Sequence, residues 1–555
     1  MAVFDEKEQE KKLAELRKKE EEQLASMLSR KYNLEYIDLS TVSINTDALR
    51  VISEEEARKA EVAAFSKVGK KLAVAVRTPN NPNIQSLKDE LERKGYSLTL
   101  YMASRASLKR AWELYKDLSF AVETREGVLE ISGDEIDRIL KNIKTLNDAR
   151  IEVEEVLGMK KAHRISRILE TVLAGALAKK ASDVHIEPEE NETRLRYRLD
   201  GVLTDVINFD HETYRLLLSR IKLLSGLKLN VKDEAQDGRF SVEIANEEIE
   251  VRTSILPGSY GESIVLRLLH PETLAVPMEE LGIERRLLDI LEREIKKPNG
   301  MILTTGPTGS GKTTTLYAFL KQVHQPEIKI ITIEDPVEYH LQGIVQTQTD
   351  SKNYTFAKGL RSSLRQDPDI IMVGEIRDSE VVETAVDASL TGHLVFSTLH
   401  TNNAAGAIPR LIDLGANPRV LSSSINVIIA QRLVRKLKKG CTKEVELGGE
   451  AKKFVDETLA TIPDPALIPE NRTKVWEPVV NENCESGYEG RIGLFEAIVM
   501  DTEIGKLAEQ SASEEEIAEA SKAQGILTMK QDGVLKALRG ITSLSELDRV
   551  LDIGI

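Results

Sequence analysis

The chain has 555 residues, 41% hydrophobic and 30% charged, which is too long for one compact core and implies roughly three or four domains. No apolar run approaches the ~18 residues a membrane-spanning helix requires, and Met1-Ala-Val-Phe is followed at once by Asp5, Glu6 and Lys7 rather than by a signal-peptide core. Together with a count of only two cysteines this implies a cytoplasmic, reducing location, and a net charge of -15 with 4% aromatic residues argues against a nucleic-acid motor.

From Asp5 to Arg30 the chain is rich in Glu, Lys, Leu and Ala with opposite charges at helical spacing, which predicts a charged, solvated helix whose first part, 1–22, leads into the folded chain. Over 23–118, short apolar runs (Leu72–Val76, Leu98–Tyr101) alternate with helical patterns (Ile84–Lys94, Leu108–Tyr115), as in a small α+β domain. Residues 119–158 read as a linker. An apolar helix, Arg164–Leu177, opens a second α+β domain over 159–272. Its strands include Arg194–Tyr197, Ile249–Ile255 and Ser263–Leu268, with turn signals at Asp200-Gly201 and Asp237-Gly238 between them. The Pro-containing acidic stretch Pro271–Glu280 reads as a connector to a third unit, 273–555.

That unit carries Gly306, Pro307, Thr308, Gly309, Ser310, Gly311, Lys312 and Thr313, the G-x-x-x-x-G-K-[ST] pattern of a phosphate-binding loop, followed by Thr314. Before it lies the β-favouring run Met301–Thr305, and after it Leu316, Phe319, Leu320 and Val323 recur at helical spacing. A loop between strand and helix directs backbone N–H groups and the positive end of the helix dipole at phosphate oxygens, with Lys312 reaching the terminal phosphates and Thr313 available to Mg2+. Further on, Lys329–Ile333 ends at Glu334-Asp335-Pro336, Ile370–Val373 ends at Gly374-Glu375, and Leu394–Thr398 lies between His393 and His400. Carboxylates at strand ends are where an open α/β sheet binds ligands. Phosphoryl transfer to water needs a held metal, a carboxylate for the water and cations for the developing charge, and these residues can fill those roles.

Gly306 to Thr314, Ile331-Thr-Ile-Glu-Asp-Pro-Val-Glu-Tyr339, Leu364 to Asp378 and Thr391 to Thr401 resemble, in order, the Walker A, Asp box, Walker B and His box of the type II/type IV secretion ATPases. Upstream, Ser182 to Pro188, Arg196 to Val202, Gln236-Asp-Gly-Arg239 and Gly261 to Leu269 resemble that family's PAS-like second domain, and 23–118 resembles its N-terminal domain more weakly. The resemblance implies an α/β fold with a RecA-like ATPase domain and a function in ATP hydrolysis with Mg2+. It further implies a homo-hexamer that powers type IV pilus assembly or type II secretion by working on an inner-membrane platform protein with a cytoplasmic adaptor. Carried over, Glu334 acts on the attacking water with Glu338 as a second acid, Glu375 and Thr313 hold Mg2+, and His393 and His400 link nucleotide state to neighbouring elements. Arg252 and Arg267 match the arginines that reach the γ-phosphate from the second domain. A retraction-type pilus ATPase, a nucleic-acid translocase and a nucleotide-gated scaffold without turnover remain as alternatives.

The chain departs from the family where extension-type members carry two C-x-x-C pairs. Cys441 and Cys484 stand alone, with Lys438 and Asn481 in their partners' places, so 435–490 is expected to be a degenerate lobe without zinc, and a disulfide is not expected in a reducing compartment. The N-terminal domain lacks the Arg-Leu-Gly opening of members that bind a cyclic dinucleotide, so no such ligand is expected.

Overall fold

The computed structural model describes residues 21–555 apart from 40–41, 43, 45, 50, 69, 118–120, 126–127, 132–138, 160, 245–246, 270–275, 351–352 and 482–483. Residues 21–32 are helical, and the rest of the charged helix expected from Asp5 lies outside the described residues. Glu22 ties this helix down by accepting hydrogen bonds from Tyr36 Oη and Ser104 Oγ, both at 2.5 Å. The first domain is a four-stranded sheet in the order Glu35–Tyr36, Ser97–Met102, Lys71–Val76, Val62–Val68. Its helices start where the local chemistry dictates. Ser53 and Glu56 form a capping box before Glu54–Ala60, and Asn81 caps Pro82–Arg93, with Pro82 placed where a helix needs no N–H.

The second domain is built on an eight-stranded sheet covered by the helices Leu146–Gly158, Lys161–Ala178 and His211–Leu224. Strand Thr193–Leu199 alternates cleanly, with Leu195 and Tyr197 fully buried and Arg194, Arg196 and Arg198 on the other face. Asp200 (φ 48°) and Gly201 (φ 87°) make the tight hairpin to Val202–Phe209, as expected of that dipeptide. Asp237-Gly238, expected as a turn, instead lies inside strand Gln236–Ile244. A Cβ on Gly238 would sit 2.4 Å from the Ser225 carbonyl oxygen, so this glycine permits close backbone approach rather than reversal. Residues 119–158 carry more than a linker. Strands Ala121–Arg125 and Val128–Ile131 extend the sheet, with Val128–Glu130 running parallel to Ser241–Glu243.

The third unit holds a seven-stranded sheet. Its strands are β1 (Gly300–Thr305), β2 (Ile330–Glu334), β3 (Val345–Gln348), β4 (Ile370–Val373), β5 (Leu394–Leu399), β6 (Ile425–Leu437) and β7 (Tyr488–Val499), in the spatial order β3-β2-β4-β5-β1-β6-β7. Every pairing is parallel except that of β7 with β6. Along β1 all residues are buried, Met301 and Leu303 packing into the core on one face and Ile302 into the core on the other, as a sheet covered on both sides requires. Lys536 and Asp532, both buried, pair at 2.5 Å in the helix Met529–Leu538, and Lys536 also donates to the Gly493 carbonyl on β7.

The lobe at 435–490 is a two-stranded ribbon, Thr442–Glu446 against Lys474–Pro478, with the helix Gly449–Ala460. The expectation of no disulfide is corrected here: Cys441 and Cys484 are bonded, their Cα atoms 5.6 Å apart. Each sits in a tight turn, Cys441 N–H bonding to the Lys438 carbonyl and Asn481 exchanging backbone hydrogen bonds with Cys484, while the Val479 N–H bonds to the Cys441 carbonyl. These turns bring the sulfurs face to face, which a sequence separation of 43 cannot reveal. The next residue, Glu485, pairs with Lys179 of the second domain at 2.9 Å, and the Gly490 N–H donates to Asp200 at 3.0 Å.

Candidate active site

The loop after β1 runs into helix α1 (Lys312–Val323), whose N-terminus is capped by Gly311 without a side chain. Gly306, Gly309 and Gly311 have φ of 148°, 78° and 89°. A Cβ on Gly306 would meet the Gln431 carbonyl oxygen at 2.5 Å, so the first glycine is required both by its φ and by the strand beneath it. Lys312 is 9% exposed and donates to the carbonyls of Gly306 (2.7 Å) and Pro307 (3.1 Å). Burial pulls its pKa down to about 8, against the nearby charge of Glu375 and with a smaller push from Arg432. The Ser310 hydroxyl is buried with no hydrogen-bond partner, an orphan donor inside the loop. An orphan hydroxyl, a buried lysine and a helix N-terminus fit a nucleoside triphosphate, and Thr313, partly exposed at the start of α1, with Glu375 would hold its Mg2+.

The acids divide by environment. Glu334 ends β2, is 2% exposed and accepts from Gln346 Nε2 at 3.2 Å and from the hydroxyls of Tyr317 and Thr332. Burial raises its pKa above the usual carboxylate range, the three donors opposing the shift and Glu338 adding to it. Tyr317 on α1 is driven well above its ordinary pKa by burial and by that carboxylate. Glu375, just past β4, is paired with Arg377 and with His400 Nε2 at 3.4 Å. His393 does not join them. It lies at the opposite end of β5, at least the strand's length of roughly 20 Å away, with its Nδ1 against the Ala388 carbonyl at 3.1 Å. The His-box spacing is that of a strand, so its two histidines are delivered to opposite ends of β5.

Register explains the arginines. Arg239, Arg252, Arg267, Asp183 and Arg198 are successive cross-strand partners and share the face of the second domain's sheet opposite its helix-covered core. Arg252 reaches the ATPase domain, donating to Glu338 at 2.9 Å and to the Val337 carbonyl at 2.6 Å, with Glu250 at 3.2 Å. Arg267 stays in its own domain, paired with Asp183 at 3.0 Å and 58% exposed. Sequence reasoning passed over two cations. Arg239, exposed beside Arg252, was signalled by Gln236-Asp-Gly-Arg239, and Arg432 stands on β6 beside the phosphate loop, where no motif marks it.

A family model described as "Type II/IV secretion system protein" matches residues 159–549, and one described as "MshEN domain" matches residues 32–121. The chain is 43% identical over 410 residues to the type II secretion system protein E of Pseudomonas aeruginosa, covering 74% of this chain and 80% of that one. It is 34% identical over 533 residues to the type IV pilus assembly ATPase PilB of Myxococcus xanthus, covering 95% and 91%. Its fold is like that of the ATPase DotB of Yersinia pseudotuberculosis, with a TM-score of 0.50 at 20% identity, covering 70% of this chain and 94% of that one. With the phosphate loop, strand-end carboxylates and sheet order already in agreement, the chain belongs to the type II/IV secretion system protein family and is a P-loop ATPase.

Proposed function

We propose that the chain is a homo-hexameric motor that hydrolyses ATP to power type IV pilus assembly or type II protein secretion. It works at the inner face of the cytoplasmic membrane through an inner-membrane platform protein and a cytoplasmic adaptor. The full-length similarity to a pilus assembly ATPase and the similarity to a secretion protein E support the two uses equally. The observation that carries the motor reading is the reach of Arg252 across the domain boundary to Glu338 and Val337. A site whose cations come partly from another domain is complete only when the domains close, so hydrolysis and rigid-body motion become one cycle.

In this reading Gly306 to Thr314 hold the phosphates and Lys312 turns from its loop carbonyls to the terminal phosphates. Thr313 and Glu375 would hold Mg2+, which would neutralise charge on the phosphates. Glu334 acts on the attacking water, its raised pKa suiting a group that accepts a proton nearer neutrality. Glu338 holds Arg252 in register, Arg267 is released from Asp183 on closure, and His400 reports the state of Glu375 to the loop that follows β5. His393 anchors the far end of that strand. The test is ATP turnover by wild type, Lys312→Ala and Glu375→Gln, each sized in solution. A wild type that hydrolyses no faster than Lys312→Ala while hexameric would end the motor reading.

A further inference from the structure

Arg432 follows Gln431 on β6, and because Thr305 of β1 is in register with Ala430, it lies just beyond the carboxyl end of β1, beside the start of the phosphate loop. Its Nη1 is 3.2 Å from where a Cβ on Gly306 would be. The side chain is partly buried, yet it donates only to neutral oxygens: the Gln431 carbonyl at 3.3 Å, the Asn402 carbonyl at 3.1 Å and Asn402 Oδ1 at 3.4 Å. Among the described residues no salt bridge is formed by this guanidinium, and Glu496 acts on it only at longer range. A desolvated guanidinium normally has an anion, because its planar fork matches carboxylate or phosphate oxygens in pairs. Here the only strongly anionic group the site is built to receive is the triphosphate.

We infer that Arg432 is a second cation of the nucleotide site and takes the terminal phosphate of ATP as its ion partner. The assignment to the terminal phosphate follows from position. Lys312, the group that serves the β and γ phosphates, is anchored at the carbonyls of Gly306 and Pro307, and Arg432 abuts that same end of the loop. Asn402, which follows His400 and Thr401, shares the guanidinium, so Arg432 also ties the phosphate to the His-box loop. The alternative is a neutral strut that only braces the two loops.

This inference rests on the ATPase reading, and a comparison of two nucleotides separates the two. Equilibrium binding of a non-hydrolysable ATP analogue and of ADP is measured for wild type, Arg432→Gln and Arg432→Met. Loss of a charge-assisted bond to the γ-phosphate weakens the analogue roughly tenfold or more while ADP changes by less than about threefold. Retained ADP binding in the same sample shows that the loop is still folded. Equal losses for both nucleotides would identify a strut, and unchanged analogue binding would remove Arg432 from the site. A wild type that binds neither nucleotide would instead overturn the ATPase reading itself.

Discussion

Lys312 carries a charge that the protein without nucleotide disfavours. Its folded pKa of about 8 lies below the ordinary lysine value of 10.5, so the protonated form costs roughly 3 kcal/mol at neutral pH, at 1.36 kcal/mol per pKa unit. Replacing it by Met removes that cost and loses hydrogen bonds to Gly306 and Pro307 worth about 1 kcal/mol each, leaving Lys312→Met more stable than wild type by about 1 kcal/mol at pH 7.5. The sign of the pH dependence is opposite to that of an ordinary salt-bridged lysine. Between pH 8 and 10.5 the unfolded chain binds more protons than the folded one, so wild-type stability rises with pH as the cost fades. Relative to Lys312→Met, wild type should gain roughly 2 kcal/mol between pH 7.5 and 9.5 and overtake it. The chain has two tryptophans, Trp112 in the first domain and Trp476 in the lobe. In a Trp112→Phe background, denaturant unfolding without nucleotide followed by Trp476 fluorescence therefore reports the ATPase unit. A stability difference that does not change with pH would refute the reasoning, since the cost would then not be the buried charge.

Three further outcomes follow from the contacts. A double-mutant cycle of Arg252→Ala and Glu338→Gln, read in kcat, should give a coupling of about 1–2 kcal/mol for this partly exposed pair, with nucleotide affinity preserved; additive effects would show that the contact does not operate during turnover. His400→Ala should lower kcat by about tenfold or more whereas His393→Ala should change it by less than about threefold, because only His400 touches Glu375; equal effects in steady-state assays would contradict the separation of the two. Cys441→Ser with Cys484→Ser should lower stability by up to about 4 kcal/mol for a closed loop of 43 residues, and wild type in reductant should match it; identical melting of oxidised wild type and the double variant would dismiss the cross-link.

The phosphate loop, Asp box and strand-end acids were legible because their residue types follow from chemistry at fixed spacing, and the second domain because Arg194 to Leu199 alternates with the period of a half-buried strand. What was missed depends on parts of the molecule distant in sequence. Asp237-Gly238 has the composition of a turn, and only the Ser225 backbone lying against Gly238 makes it strand. Residues 121–131 look like linker because the sheet they join is reached through Val128–Glu130 pairing with Ser241–Glu243, more than a hundred positions away. The same holds for Cys441 and Cys484, and for Arg432, whose meaning comes from β6 lying beside β1 rather than from any pattern of its own.

The arginine row on the second domain makes the position of its reaching side chain transferable. Arg239, Arg252 and Arg267 stand shoulder to shoulder on neighbouring strands, so each is one strand spacing, roughly 5 Å, from the next, less than the length of an arginine side chain. A domain that docks one strand spacing to one side would present a different arginine to the same acid without altering its sequence. Docking of the second domain at different offsets would thus engage different teeth of one rack.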